Sequence, residues 1–336
     1  MREPCKKMAT ALTADTRETR TMKSIVDRVG LHNLSLILAL VALVAIFGFV
    51  RSDVFFSSRN ILNIGMGVAI LGVLAISQTT VIVAGGLDIS VGSIVGLTTV
   101  ATAMTIAATG SAGLGLAAGI VLGAAAGLVN GLLVTLGRVN AVIVTLGTMA
   151  IFRGFAFILS DGQSISIFDA TFRWIGIGRV LGLPVPIWIL VMVAVAFWVF
   201  LHRSIPGRNL YAIGGNPVVA RLSGMNLIRY RTGIYVLSGA IAGIGGILLA
   251  ARTGSGQPIS GSQGLELEAI TAAFLGGCAM QGGKGTVVGA LLGVAIIGVL
   301  NNGMILTAVP TFYQMLAKGT LLILAVLLAE YRLNRS

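Results

Sequence analysis

The chain has 336 residues, of which 56% are apolar and only 10% charged, with a formal net charge of +12. A soluble domain carries about a quarter charged residues, so a water-soluble globule is excluded, and several apolar runs are long enough to cross a hydrocarbon core of about 30 Å as helices. The alternation of an outer-membrane barrel is absent, and the basic residues sit at chain ends and in short loops, where membrane orientation accounts for them better than nucleic acid does. The 46 glycines suit close helix packing. Cys5 and Cys278 lie in unlike contexts and give neither a metal spacing nor a disulfide framework.

Residues 1–31 read as a charged cytoplasmic tail. No apolar run opens it, so no cleaved secretion signal is expected; residues 22–29 suit a short amphipathic helix on the membrane surface. A first span is predicted at 34–50 and a second at 61–84, with Arg51, Asp53 and Arg59 between them. The stretch GGLDISVGSIVG at 85–96 then holds Asp88, the only acid between Asp53 and Asp161. An ionisable group flanked by apolar sequence is a functional candidate. Asp88 with Ser90 also reads as the cap of the third helix, its carboxylate meeting free N–H groups, and the two roles are compatible.

The third, fourth and fifth spans are predicted at 91–108, 114–136 and 139–159. Asn130 can hydrogen-bond across helices. Arg153 is read as the only basic residue deep in a run, so it needs a partner, a carbonyl cluster or a polar cavity. Residues 161–183 form a polar segment whose Asp161, Asp169, Arg173 and Arg179 sum to zero. A sixth span follows at 184–201.

Residues 206–224, PGRNLYAIGGNPVVARLSG, carry Arg208 and Arg221 and no acid. Gly214-Gly215-Asn216-Pro217 breaks any preceding helix. Asn216 as a cap and Pro217 at a first helical position open a short helix to about Leu222, which Gly224 ends. This is either an ordinary basic loop or a docking helix that passes motion from a partner into the membrane part. The seventh span is predicted at 232–251.

Glu266 and Glu268 follow a Gly- and Ser-rich segment, in the first turn of an eighth helix. Two residues apart, they point about 200° apart around it, and the helix dipole favours both; alternatively they line an outer mouth or grip a basic partner. The eighth and ninth spans, at 269–278 and 286–301, are short and Gly-punctuated, which suits broken or re-entrant helices. A tenth is predicted at 309–329. The stretch at 276–289 echoes that at 85–96, and Asn302-Gly303 echoes Asn130-Gly131, a hint of an internal repeat. About ten transmembrane helices, an all-α polytopic fold, place both ends on one side. Positive charge makes that side cytoplasmic, with residues 161–183 outside. The membrane region is taken as 32–330, the basic loop within it as 202–231, and 331–336 as a second tail.

Chemistry motifs are missing. Nothing matches G-x-x-x-x-G-K-[ST], H-E-x-x-H or G-x-S-x-G, so a membrane enzyme or scaffold is poorly supported and a transporter is favoured. It is driven either by ions, with Asp88 the one candidate, or by a separate ATPase.

GGLDISVGS, VNAVIVTLGTMAIFRG followed by SDG, GRNLYAIGGNPVVARLSG, GLELEAITAAFLGG, QGGKGTVVGALLG and NNGM occur in this order. Together they resemble the inner-membrane permeases of bacterial ABC importers for monosaccharides, the ribose/arabinose/xylose/galactoside family. That resemblance implies a type II, vitamin B12-importer-like helical fold and two permease copies. It also implies a periplasmic sugar-binding protein outside and a cytoplasmic ATPase inside. ATP and magnesium then belong to the ATPase, and no cofactor to this chain. Arg208, Gly214, Gly215, Asn216, Pro217, Ala220, Arg221 and Gly224 would form the coupling element. Asp88, Ser90, Ser93, Asn130, Thr145, Arg153 and Asn302 are the expected path-lining or structural polar residues, and Glu266 and Glu268 the periplasmic mouth. The SDG segment and LPVPIW favour a pentose, with ribose, arabinose, xylose, galactose and an autoinducer sugar open. The competing expectation is an ion-coupled sugar carrier acting alone.

Overall fold

The computed structural model describes residues 31–259 and 262–333; the predicted surface helix at 22–29, most of the first tail and half of the second lie outside them. Nine helices among the described residues are long and apolar enough to cross a membrane. They are α1 (Leu31–Val50), α2 (Ser58–Val83), α3 (Val91–Thr109), α4 (Ala112–Thr135), α5 (Ala141–Ser160), α7 (Val185–Arg203), α10 (Leu227–Thr253), α12 (Val287–Leu306) and α13 (Thr311–Leu333). Polar caps start several of them: Ser57, Asn140 and Asn226 accept from backbone N–H groups of α2, α5 and α10, satisfying donors that helix geometry leaves free.

The eighth span, expected to be short and Gly-punctuated, is a half-length helix. Gly254, at φ 71°, ends α10, and β4 (Ser255–Gly256) pairs with β1 (Ile165–Ser166). Only at Gly264, φ 86°, does α11 (Leu265–Leu275) begin. Its 11 residues give roughly 16 Å of helix, half a bilayer core. The described residues on either side of 260–261 form bends and turns, so helix resumes only at Leu265.

The segment at 161–183 holds β1, the short helix α6 (Ala170–Ile177) capped by Asp169, and a hairpin of β2 (Arg179–Val180) and β3 (Leu183–Pro184). At the other end the stretch expected as a loop is mostly helical. Ser204 caps α8 (Ile205–Gly215), which leads into α9 (Pro217–Leu222). Pro206 suits the first turn of α8, where its missing N–H costs nothing. Because α10 starts at Leu227 rather than near residue 232, Arg229 and Arg231 belong to its first turns.

α2, α3 and α10 form the buried centre; from Ala69 to Val83, α2 is buried throughout. α10 is drawn against α4 by a seam of small residues. Gly115, Gly119, Gly123, Gly127 and Gly131 recur every fourth residue along α4; Gly119, Gly123 and Gly127 face Gly239, Gly243 and the backbone of Tyr235, Gly131 faces Thr232, and Gly115 faces Thr102 and Ile106 of α3. A β-carbon on Gly127 would overlap the Tyr235 carbonyl oxygen, and one on Gly239 that of Gly123. Such backbone-to-backbone contact is how membrane helices gain packing energy without a hydrophobic drive between them. By contrast α1, α5 and α13 keep most of their apolar surface uncovered.

The two Asn-Gly pairs do not occupy equivalent places. Asn130 lies on the second helix after its glycine corner and Asn302 on the first after the other.

Candidate functional site

Three constellations collect the polar chemistry. The first joins three glycine corners at the α8–α9 end. Gly283 donates its N–H to the Val83 carbonyl at 2.9 Å, and Gly214 packs so tightly beneath them that a β-carbon there would overlap the Val83 oxygen and come within 2.6 Å of the Gly283 nitrogen. Gly85 lies over the Gly214 α-carbon. Tyr211 of α8 adds a hydroxyl donated to the Gly285 carbonyl at 2.8 Å; burial pushes its pKa up, keeping it a donor. The break between α8 and α9 is thus fastened to the α2–α3 and α11–α12 corners together.

From this root α9 projects outward. Asn216 Oδ1 accepts from the Val218 and Val219 N–H groups, and Gly224, φ 82°, turns the chain away. Ala220 is buried among Ile213, Leu227, Met225 and Tyr230. The outer face presents Val218, Val219 and Leu222, the last 83% exposed, beside exposed Arg221. Gly215 is exposed with open space around it, and Arg208 is exposed at the start of α8, donating to the Arg203 carbonyl. A hollow of about 900 Å³ beside α9 is lined by Arg138, Arg221 and Arg231 and by no carboxylate.

The second constellation surrounds Asp88, which is fully buried. Its Oδ1 accepts from the Ser90 N–H at 3.0 Å, the Ser90 hydroxyl at 2.6 Å and Asn130 Nδ2 at 3.5 Å. Its Oδ2 accepts from Ser238 Oγ at 3.4 Å. Ser77 donates to Ser238, Asn130 to Ser90, and Gln78 to the Asp88 carbonyl. Tyr235 and Thr145 both reach the Leu87 carbonyl. Asp88 thus ties α2, α3, α4 and α10 together, and no ion pair reaches it among the described residues. Ser93 donates to the Ser90 carbonyl within α3.

The third constellation lies where α11 starts. Glu266, only 6% exposed, faces Arg153 of α5 with Oε1 3.6 Å from Nη2. Glu268 Oε1 accepts from Lys318 of α13 at 2.6 Å, and its Oε2 from Asn301 of α12 at 3.1 Å. A cavity of about 510 Å³ opens among these side chains. Among the described residues, Arg153 Nε and Nη2, Glu266 Oε2 and Asn301 Oδ1 are buried there without a hydrogen-bond partner.

The residues read as path-lining therefore separate. Asp88, Ser90, Ser93, Asn130 and Thr145 share one web, whereas Arg153 joins Glu266 beside Glu268. Asn302 exchanges amide hydrogen bonds with Asn60 at 2.8 and 3.0 Å, fastening α12 to α2. Arg153 is not the only cation in a predicted run: Lys318 lies seven residues into α13 and carried the same signal. Asn301, beside Asn302, is not singled out by the sequence because a lone amide gives no direction.

A family model described as "Branched-chain amino acid transport system / permease component" matches residues 60–326. The chain is 41% identical over 295 residues to the ribose import permease protein RbsC of Escherichia coli K12, covering 87% of this chain and 91% of that one. It is 41% identical to the L-arabinose ABC transporter permease protein AraH of Azospirillum brasilense, over 84% of this chain and 83% of that one. It is equally 41% identical to the ribose import permease protein RbsC of Bacillus subtilis, over 82% and 85%. No solved structure matches it.

Proposed function

The chain belongs to the family of ABC-importer permease components, and from that premise we propose that it is the membrane subunit of a monosaccharide importer, moving a pentose such as ribose or L-arabinose across the inner membrane. One observation carries the sugar assignment. The family description names amino acids, but relatives aligned over nearly their whole length are named for ribose and L-arabinose. Likeness along the entire path speaks more closely to cargo than a family-wide description does.

In this reading the fold is of the type II importer class, and the α8–α9 end faces the cytoplasm together with both termini. Arg138, Arg203, Arg208, Arg221, Arg229 and Arg231 crowd that end, as the positive-inside rule requires. The hairpin end, with Asp161, Asp169, Arg173 and Arg179, faces the periplasm and a sugar-binding protein. A second copy of the chain completes the pore against the uncovered faces of α5 and α13. ATP hydrolysis belongs to the partner ATPase, which seats α9 through Val218, Val219 and Leu222, with Arg221 paired to its carboxylates.

Coupling follows from the glycine corner. Displacing α9 moves Gly214, and Gly214 cannot move without pushing Val83 and Gly283, since there is no side chain to yield. The push therefore reaches α2–α3 and α11–α12 together, a rigid transfer with pivots at its ends.

Affinity purification of the tagged chain from its native membrane tests the assignment. A stoichiometric ATPase subunit is the expected companion, and Arg221→Glu should reduce its recovery while the permease stays folded. A chain that comes out alone and moves sugar in vesicles without ATP would overturn the importer reading. Asp88 would then be the one candidate for ion coupling.

A further inference from the structure

We propose that the cavity at the start of α11 is a monosaccharide site, in which Arg153, Glu268 and Asn301 hydrogen-bond the sugar part-way along its passage. The identity of the ligand rests on the importer reading above; the existence of the site rests on the cavity itself.

Three observations point there. The volume, about 510 Å³, lies within the range of about 300–1,000 Å³ typical of small-molecule sites. Four buried polar atoms on three of its lining residues have no hydrogen-bond partner among the described residues: Arg153 Nε and Nη2, Glu266 Oε2 and Asn301 Oδ1. Leaving such atoms unpaired is unfavourable, so an occupant that pairs some of them gains what the empty cavity forgoes. Finally, two cations, Arg153 and Lys318, are matched by two carboxylates, Glu266 and Glu268. That balance favours neither an anion nor a cation and suits a neutral solute.

A sugar meets the remaining demands. Each hydroxyl donates and accepts, so one molecule can accept from Arg153 and donate to Asn301 Oδ1 and Glu268. Leu267, Ile297 and Met315 supply apolar wall for the C–H face of the ring. The half-length of α11 is what makes the site: a continuous helix would fill the approach with backbone, whereas Gly264 starts the helix at the cavity's edge.

The permease is reconstituted in nanodiscs with its ATPase and binding protein, in a Cys5→Ser background that keeps the buried Cys278. Met315→Cys, or Leu300→Cys if that variant does not fold, is labelled with a maleimide with and without ribose or L-arabinose. Labelling should slow by about threefold once sugar reaches twice its dissociation constant, by simple occupancy. Adding Asn301→Ala should abolish the protection, and a cysteine replacing Leu128 on the uncovered face of α4 should label at one rate throughout. Unchanged labelling at saturating sugar, or protection that survives Asn301→Ala, overturns the site. Loss of ATP-driven uptake with protection intact would fault the importer reading and leave the site standing. Uptake without protection would do the reverse.

Discussion

The carboxylates of Asp88 and Glu266 are both buried, yet their surroundings are of opposite kinds. Asp88 accepts from three side chains and a backbone N–H drawn from α3, α4 and α10, and its neighbours pack on a glycine seam that admits no side chain. Glu266 stands beside a cation at 3.6 Å, an orphaned oxygen and an open cavity. A buried charge in a membrane protein either binds helices to one another or waits for something that moves. The difference is legible in whether its partners close around it. Asp88 holds the frame still, and Glu266 with Glu268 lines the part that stays hollow.

The largest effect should come from breaking the frame. Gly127→Val drives its side chain into the Tyr235 backbone, and the protein should fail to accumulate in folded form, read by size-exclusion chromatography in detergent. Asp88→Leu comes next. It strands Ser90, Asn130 and Ser238, and unpaired buried donors cost about 1–3 kcal/mol each, so thermal unfolding should fall steeply. Asp88→Asn keeps one acceptor oxygen and should lose far less. Under the importer reading, uptake by the folded Asp88→Asn protein persists; abolished uptake at normal folding would make Asp88 a proton or ion carrier.

Glu268→Leu sharpens the contrast from the other side. Its partner Lys318 is one-third exposed, so stability should hardly change, while sugar transport per ATP should drop. A smaller and more local effect is expected at the coupling root. Gly214→Ala has no room and should lower transport relative to ATP hydrolysis, whereas Gly215→Ala, with open space around it, should behave as wild type in the same assay.

The sequence made some of this readable and hid the rest for physical reasons. Asn216-Pro217 and Gly224 define α9 because caps and breakers act through nearest neighbours. Long apolar runs announce spans for the same local reason. What precedes α11 is different. Residues 252–263 read only as Gly- and Ser-rich, and nothing local says that Ser255–Gly256 pairs with Ile165–Ser166 before the short helix begins. Nor does Ser238 in an apolar run announce that it donates to Asp88, 150 residues earlier. Glu266 and Glu268, read as lining an outer mouth or gripping a basic partner, meet Arg153 and Lys318, each pairing across helices distant in sequence. Lys318 was the readable clue: a cation inside an apolar run needs an acid, and Glu268 is the one it finds.

ATP-driven uptake in proteoliposomes containing this chain, its ATPase and its binding protein tests the account most directly. Ribose or L-arabinose should accumulate only when all three proteins and ATP are present, without dependence on a proton or sodium gradient. Accumulation by the chain alone, driven by such a gradient and abolished by Asp88→Asn, would contradict it.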